Sequence, residues 1–333
     1  MIKEPARGSA AGDGIDWLPS ARLETLQARA AMLGRFRDFF ATAGVLEVET
    51  PILSQAAVTD PALASLRTRA GCLGQPLYLQ TSPEFPMKRL LAAGSGPIYQ
   101  ICKVFRDDER GRRHHPEFTL LEWYRPGWDH HRLMDELAGL VRAALARPDL
   151  PVERIPYRDL FRQRLDLDPW TATTADLRAA ALAAGIADAA DLDLDADAWL
   201  DLLLTHRLES GLGGGGMTFL YDYPPTQAAL SRIRPDSFSV AERFELYIDG
   251  VELANGFHEL TDVAEQRARF AADLAAREHG GQVIPPLDER LLGALSAGMP
   301  ACAGVALGLD RLLMTAVGAL HIDEVLAFPI ERA

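Results

Sequence analysis

The chain has 333 residues, 48% hydrophobic and 24% charged, a balance that fits a folded globular protein of one large or two ordinary domains. Its 34 Lys and Arg stand against 47 Asp and Glu, and the net charge of −13 argues against a broad RNA-gripping face, although a local basic patch stays compatible with it. No apolar run approaches the roughly 18 residues of a membrane span. The N-terminal stretch lacks the apolar core of a signal peptide, so residues 1–16 are expected to be a flexible tail. Cys72, Cys102 and Cys302 are too widely spaced for a zinc or disulfide framework, and a reducing cytoplasm is the expected compartment.

Ser20 to Ala43 is predicted as a helix: Ser20 can cap it, Leu33, Phe36, Phe40 and Ala43 recur at helical spacing, and Gly44 stops it. VLEVETPILSQ follows as a strand with Pro51 near its end. LYLQTSPEFPMKRLLA is a strand entering a helix, where Thr81 and Glu84 have capping-box spacing and Pro83 suits the first turn. Helix-start amides there could also meet an anion.

IYQICKVFRDD and FTLLEWYRP are strand-type runs around a charged loop. Strand side chains alternate faces, so Arg106 shares a face with Asp108, and Phe118, Leu120, Glu122 and Tyr124 share another. If the runs pair as a hairpin, one surface carries a guanidinium, carboxylates, an aromatic ring and a phenol. That set suits a ligand with phosphate, a flat base and an ammonium group. The plainer reading is an exposed hairpin with a solvated loop.

Residues 147 to 216, approximately, are Ala-, Leu- and Asp-rich and read as a helical insertion outside the catalytic region. Asp191, Asp193, Asp195 and Asp197 imitate a calcium loop, but Ala196 replaces its turn glycine and Leu202 its bidentate glutamate. Gly213 to Gly216 lacks the Lys and Ser/Thr of a phosphate loop and reads as a flexible link. Two further strand runs meet at Asp249-Gly250, a hairpin signal. Beyond it Glu252 and Glu259 bracket Asn255-Gly256. Seven residues apart, they fall on opposite faces of a regular strand, so a bulge or strand end near Gly256 is needed if they cooperate. They could hold a divalent cation or an ammonium group, or be surface glutamates. Asp262 caps a helix reaching His279, with Glu265 three residues on. CAGVALGLDRLLMTAVGA closes the chain as a buried strand and helix, where Gly304 and Gly308 either admit a ligand to the backbone or pack.

Phe105-Arg106, the charged loop with His114, Pro116-Glu117-Phe118 and Glu122-Trp123-Tyr124 together resemble motif 2 of the class II aminoacyl-tRNA synthetases, most closely the lysyl branch. The first helix and the Pro51 strand resemble motif 1, which builds the dimer interface. Gly304, Gly308 and Asp310-Arg311 resemble motif 3, whose arginine meets the ATP γ-phosphate. TSPE followed by MKRLL is similar to the segment lining the lysine pocket. ERFE…GVELANGFHELTD is similar to the segment whose carboxylates hold magnesium, ATP and the amino acid. The likeness covers residues 17–333, and too few residues precede it for an OB-type anticodon-binding domain. A synthetase body of this extent resembles the elongation factor P lysine ligases, paralogues that activate (R)-β-lysine and transfer it to a lysine of elongation factor P.

The resemblance implies an α+β fold, an antiparallel sheet flanked by helices with a helical insertion, and a homodimer that uses ATP and Mg²⁺ and has no need of tRNA. It implies Arg106 and Arg311 as the catalytic pair. ATP would meet Arg106, Asp107, Asp108, His115, Phe118, Glu252, Leu253, Gly308 and Arg311. The amino acid would meet Ser82, Pro83, Glu84, Glu122, Tyr124, Asn255, Glu259 and Ala306, and Glu252 with Glu259 would hold the metal. Two positions depart from the family: Asp108 stands for a glutamate that Glu109 could replace, and His115 for an asparagine. A minimal ligase charging tRNA or another carrier, and a non-catalytic synthetase-like regulator, are the competing functions. The regulator would be expected to lack an ATP-clamping arginine or a metal carboxylate, and the sequence keeps both.

Overall fold

A computed structural model describes residues 17–107, 109–235 and 237–333; the expected tail at 1–16 and Asp108 lie outside the described residues. The first helix, α1 (Leu23–Thr42), buries Met32, Phe36 and Phe40 along one stripe, and Gly44 ends it in the left-handed region at φ +65°. Ser20 does not cap it. Its N–H donates to Ala327 O and its Oγ accepts from Arg332, which ties the helix start to the C-terminal segment.

Strands β1 (Leu46–Glu47), β2 (Leu53–Ser54), β3 (Arg67–Arg69) and β4 (Pro76–Leu79) lead to α2 (Glu84–Ala92). The capping box expected there does not form: Ser82 Oγ accepts from Glu84 N at 3.1 Å, and the Glu84 carboxylate turns to Lys88. β5 (Ile98–Phe105) and β6 (Glu117–Pro126) pair antiparallel as the predicted hairpin, Phe105 opposite Glu117 and Ile98 opposite Tyr124. Then come α3 (His130–Leu145), β7 (Val152–Pro156), α4 (Tyr157–Leu165), α5 (Thr174–Ala183), α6 (Ala196–Leu203), β8 (Met217–Tyr223), β9 (Ile233–Arg234), β10 (Val240–Ile248) and β11 (Val251–His258). The chain ends with α7 (Val263–His279), capped by Asp262 as expected, α8 (Glu289–Gly298), β12 (Cys302–Gly308) and α9 (Leu309–Val317).

The main sheet runs β1-β5-β6-β12-β11-β10-β8-β7, with β9 on β10; β1/β5 and β7/β8 are parallel and the other pairs antiparallel. This is the expected α+β architecture. One sheet face packs Leu121, Trp123, Phe244, Leu246, Val305 and Leu307 into a core with residues of α1, α3 and α9. The other face opens into a cleft of about 670 Å³ lined by Glu122, Tyr124, Arg243, Asn255, Phe257 and Ala306. Asp310 fixes the motif 3 helix beneath the sheet: it accepts from Thr119 N at 2.7 Å and pairs with Arg29 of α1.

Two expectations about the insertion change. It opens with a strand, β7, that extends the main sheet beside β8, and its helices bury Tyr157, Phe161, Trp199 and Leu203 against that edge. Asp195 caps α6, and Asp197 and Asp201 reach the cleft wall, so the insertion takes part in the cleft. The glycine run is a packed turn and not a loose link. A Cβ on Gly216 would lie 2.9 Å from Pro151 O, and Gly213, at φ +71°, lies against the Tyr247 backbone. Asp249 and Gly250 both take positive φ, as a tight hairpin with the twist of its strands requires. Among the described residues no helix is long and apolar enough to cross a membrane.

Candidate active site

A strand bulge decides which carboxylates meet. Opposite β10, Leu246 pairs with Ala254 and Tyr247 with Glu252, leaving Leu253 as the extra residue. Leu253 and Ala254 both enter the core, so the strand changes parity there, and not near Gly256 as the seven-residue spacing suggested. Glu252 and Asn255 therefore share a face, and Asn255, Phe257 and Glu259 continue it by simple alternation. The two glutamates nevertheless sit with different partners, Glu259 with Lys88 and Glu252 with Arg311.

At the Glu259 end, the cleft closes on a buried charge cluster. Lys88 is 1% exposed and bridges Glu84 and Glu259, with both Nζ–O distances 2.6 Å. Tyr124 donates its hydroxyl to Glu122 Oε1 at 2.7 Å, while Glu122 Oε2 is buried without a hydrogen-bond partner among the described residues. Burial, and then the neighbouring Glu84 carboxylate, pushes the Glu122 carboxyl up to about 8. Glu259 is also raised to about 8, first by burial, with Lys88 opposing and Glu84 adding to the shift. Burial depresses the Lys88 ammonium, but the two carboxylates outweigh it and hold Lys88 protonated. Three carboxylates against one lysine leave up to two negative charges for a ligand to neutralise, and a diammonium ligand would ionise the raised pair.

Ser82, Glu84, Glu122, Tyr124, Asn255, Glu259 and Ala306 all line this cleft, as the sequence predicts, whereas Pro83 sets the start of α2 behind it. Ala306 lies opposite Glu122 on one side and Asn255 on the other. Gly304 makes room for protein and not for ligand: a Cβ there would overlap the Tyr124 ring and come within 2.5 Å of Glu259 Oε1. Because that ring is buried, Gly304→Ala is expected to lower stability by about 1–3 kcal/mol and to raise KM for the amino acid, as read from urea unfolding and from kinetics. Unaltered values for both would show that the ring moves freely.

The other end of the cleft sets arginines among carboxylates. The Arg106 guanidinium lies 5.0 Å above the Phe118 ring, and its Nε has no hydrogen-bond partner among the described residues. Arg311 donates to Glu252 O at 2.9 Å and to Glu252 Oε2 at 3.3 Å, at the mouth of the Asp249-Gly250 hairpin. A Cβ on Gly308 would meet only ordinary contacts, the nearest Leu253 O at 3.6 Å. Leu253 itself buries its side chain in the core, which leaves only its backbone for a ligand. His115 does not join the group. Its Nε2 accepts from Ile330 N at 2.9 Å and its Nδ1 donates to Glu117 O at 2.6 Å, a clamp on the C-terminal segment. Asp107 is held through its N–H by Ala64 O.

Side chains that sequence reasoning passed over complete this end. Glu245, on β10, accepts from Arg243 and Tyr247, both at 2.5 Å. Burial, then Glu245 and Glu252, pushes Glu209 up to about 7; Glu252 is raised by desolvation and then by Glu245, against Arg311. Carboxylates gathered around Glu245 suit a divalent cation, and an unpaired guanidinium nitrogen suits phosphate, so the donor set fits a magnesium–nucleotide pair. The bulge hid Glu245 and Glu252 as partners. Lys88 was legible as an i, i+4 partner of Glu84.

The family of tRNA synthetases class II (D, K and N) matches residues 15–332. A protein of Klebsiella pneumoniae (strain 342) named elongation factor P–(R)-β-lysine ligase is 49% identical over 321 residues, covering 95% of this chain and 98% of its own. Proteins of the same name from Erwinia tasmaniensis and Salmonella paratyphi B are 49% and 48% identical over 96% and 95% of this chain. The chain belongs to the elongation factor P–(R)-β-lysine ligase family of class II synthetases. Family membership accounts for the hairpin, the Gly-rich strand and the arginine after it as one inherited constellation.

Proposed function

We propose that the protein activates (R)-β-lysine with ATP and transfers it to a lysine side chain of elongation factor P. The observation that carries this reading is the closed end of the cleft, where Glu84, Glu122 and Glu259 outnumber Lys88 and match the two ammonium groups of a lysine-type substrate. Ala306 supports the β-isomer. Its methyl lies between Glu122 and Asn255, where it would crowd an α-amino group, while an amine one carbon further along avoids it.

In this reading Glu84, Glu122, Tyr124, Asn255 and Glu259 hold the amino acid with its carboxylate towards the ATP α-phosphate. The carboxylate attacks in line, giving the adenylate and pyrophosphate, while Arg106 and Arg311 offset charge spreading over the phosphates and Phe118 stacks on the base. Mg²⁺, held by Glu252 with Glu245, supplies further charge neutralisation when bound. The acceptor amine then attacks the activated carbonyl, an amide forms and AMP leaves. No protein nucleophile is required, so positioning and electrostatics supply the catalysis. We place the enzyme in the cytoplasm as a homodimer, with α1 and the Pro51 segment at the interface. The whole of 17–333 is read as one catalytic domain.

The test is pyrophosphate exchange with (R)-β-lysine and α-lysine. Wild type is expected to prefer the β-isomer, and Ala306→Gly to improve kcat/KM for α-lysine by about tenfold to a hundredfold, the worth of about 1–3 kcal/mol of overlap in a packed pocket. Exchange that no lysine isomer stimulates would overturn the reading. Unchanged α-lysine efficiency in the glycine variant would remove Ala306 as the selector.

A further inference from the structure

Beneath the sheet, on the side away from the cleft, lies a second cluster that the ligase reading does not use. His258 falls between Phe257 and Glu259, which both line the cleft, so its ring turns to the opposite face, where α3 packs. There it meets Glu242 of β10 and His130, the first residue of α3; one donor atom from each lies within 4.8 Å of the other two. We propose that His130, Glu242 and His258 bind a divalent transition-metal ion of the zinc class.

Four observations carry this. His130 is 1% exposed and its Nδ1 has no hydrogen-bond partner among the described residues, a costly state for a buried imidazole nitrogen. His258 Nδ1 and Glu242 Oε2 lie 2.7 Å apart, so a second imidazole nitrogen and a carboxylate oxygen already converge beside it. The remaining ring nitrogen of His130 faces Asp222 Oδ1 at 3.3 Å, and Asp222 Oδ2 accepts from Arg234 at 2.7 Å. A carboxylate on the far nitrogen is the usual support of a metal-ligating histidine: with Nε2 donating, Nδ1 keeps its lone pair for the ion. Finally, two imidazoles and one carboxylate form a donor set that zinc and its neighbours favour over magnesium or calcium.

The charges around the cluster are mixed. Arg234 donates to Glu242 Oε1 at 2.9 Å and leaves Oε2 to the cluster. Arg232 Nε lies 3.1 Å from Oε2 and competes with a cation, but its side chain is 48% exposed and can withdraw into solvent. His131 stacks beside His130 and adds no charge while neutral. With metal bonds of about 2.0–2.1 Å the three donors must draw in by about an ångström, a side-chain adjustment. An ion here would tie the start of α3 to β10 and β11 directly under the cleft.

The experiment is zinc binding by the chelator-stripped full-length protein in excess Mg²⁺, measured by competition with a chromogenic chelator, alongside the visible spectrum of the Co²⁺-loaded protein. The expected result is one zinc per chain, affinity at least tenfold weaker in His130→Gln and His258→Gln, and no change in Glu252→Gln at the cleft. Asp222→Asn, which keeps the size but removes the carboxylate behind His130, is expected to weaken zinc about 10- to 100-fold, and circular dichroism checks that each variant folds. Absence of stoichiometric zinc overturns the proposal. So does zinc held equally by folded His130→Gln and Asp222→Asn, or lost only in Glu252→Gln.

Discussion

Arg311→Ala lowers amino-acid-dependent pyrophosphate exchange at least about tenfold in a protein that remains folded. Arg311 follows β12, its guanidinium held by the backbone and carboxylate of Glu252, by Arg113 O and by the His114 ring. Each charge-assisted hydrogen bond it gives a phosphate is worth about 1.5–3 kcal/mol, and alanine replaces none of them. The Arg311–Glu252 pair it loses is partly exposed at both side chains, so stability changes little by comparison. Arg311→Lys keeps the charge but loses the fork and should recover only part of the rate. Near-wild-type exchange in folded Arg311→Ala would take this residue out of the phosphate site.

Lys88→Met has the largest expected effect on stability. Lys88 bridges Glu84 and Glu259 at the closed end, and removing it leaves buried carboxylates uncompensated, at a cost of about 3–5 kcal/mol. The sign of the pH dependence follows from Glu259, whose carboxyl is already lifted to about 8 by burial and rises further without Lys88. A protonated Glu259 needs no counter-ion. The deficit is therefore greatest above pH 8 and shrinks as pH falls towards 6, when Glu259 carries its proton. Urea unfolding of wild type and Lys88→Met across that range checks it; a deficit independent of pH would mean that packing, and not charge, is what Lys88 supplies.

Much of the fold was legible because it rests on local rules. Alternation along FTLLEWY put Leu121 and Trp123 in the core and Glu122 and Tyr124 in the cleft. Asp249-Gly250 marked the hairpin through its need for positive φ. The misses arose where tertiary contacts override those rules. Thr81 and Glu84 have the spacing of a cap, but a buried lysine one turn on draws the Glu84 carboxylate away. The bulge at Leu253 leaves no mark in an apolar run, so Glu252 was joined with Glu259 when its near neighbour is Glu245. Gly213 to Gly216 looked loose because a glycine run gives no sign of the backbone packed against it. His115 looked available because its tie to Ile330 spans more than half the chain.

The acceptor is tested most directly by transfer: the enzyme, ATP and radiolabelled (R)-β-lysine, offered unmodified elongation factor P or bulk tRNA. Label is expected on elongation factor P, dependent on ATP, lost when its acceptor lysine is replaced, and absent from tRNA. Efficient labelling of tRNA with none on elongation factor P would contradict it.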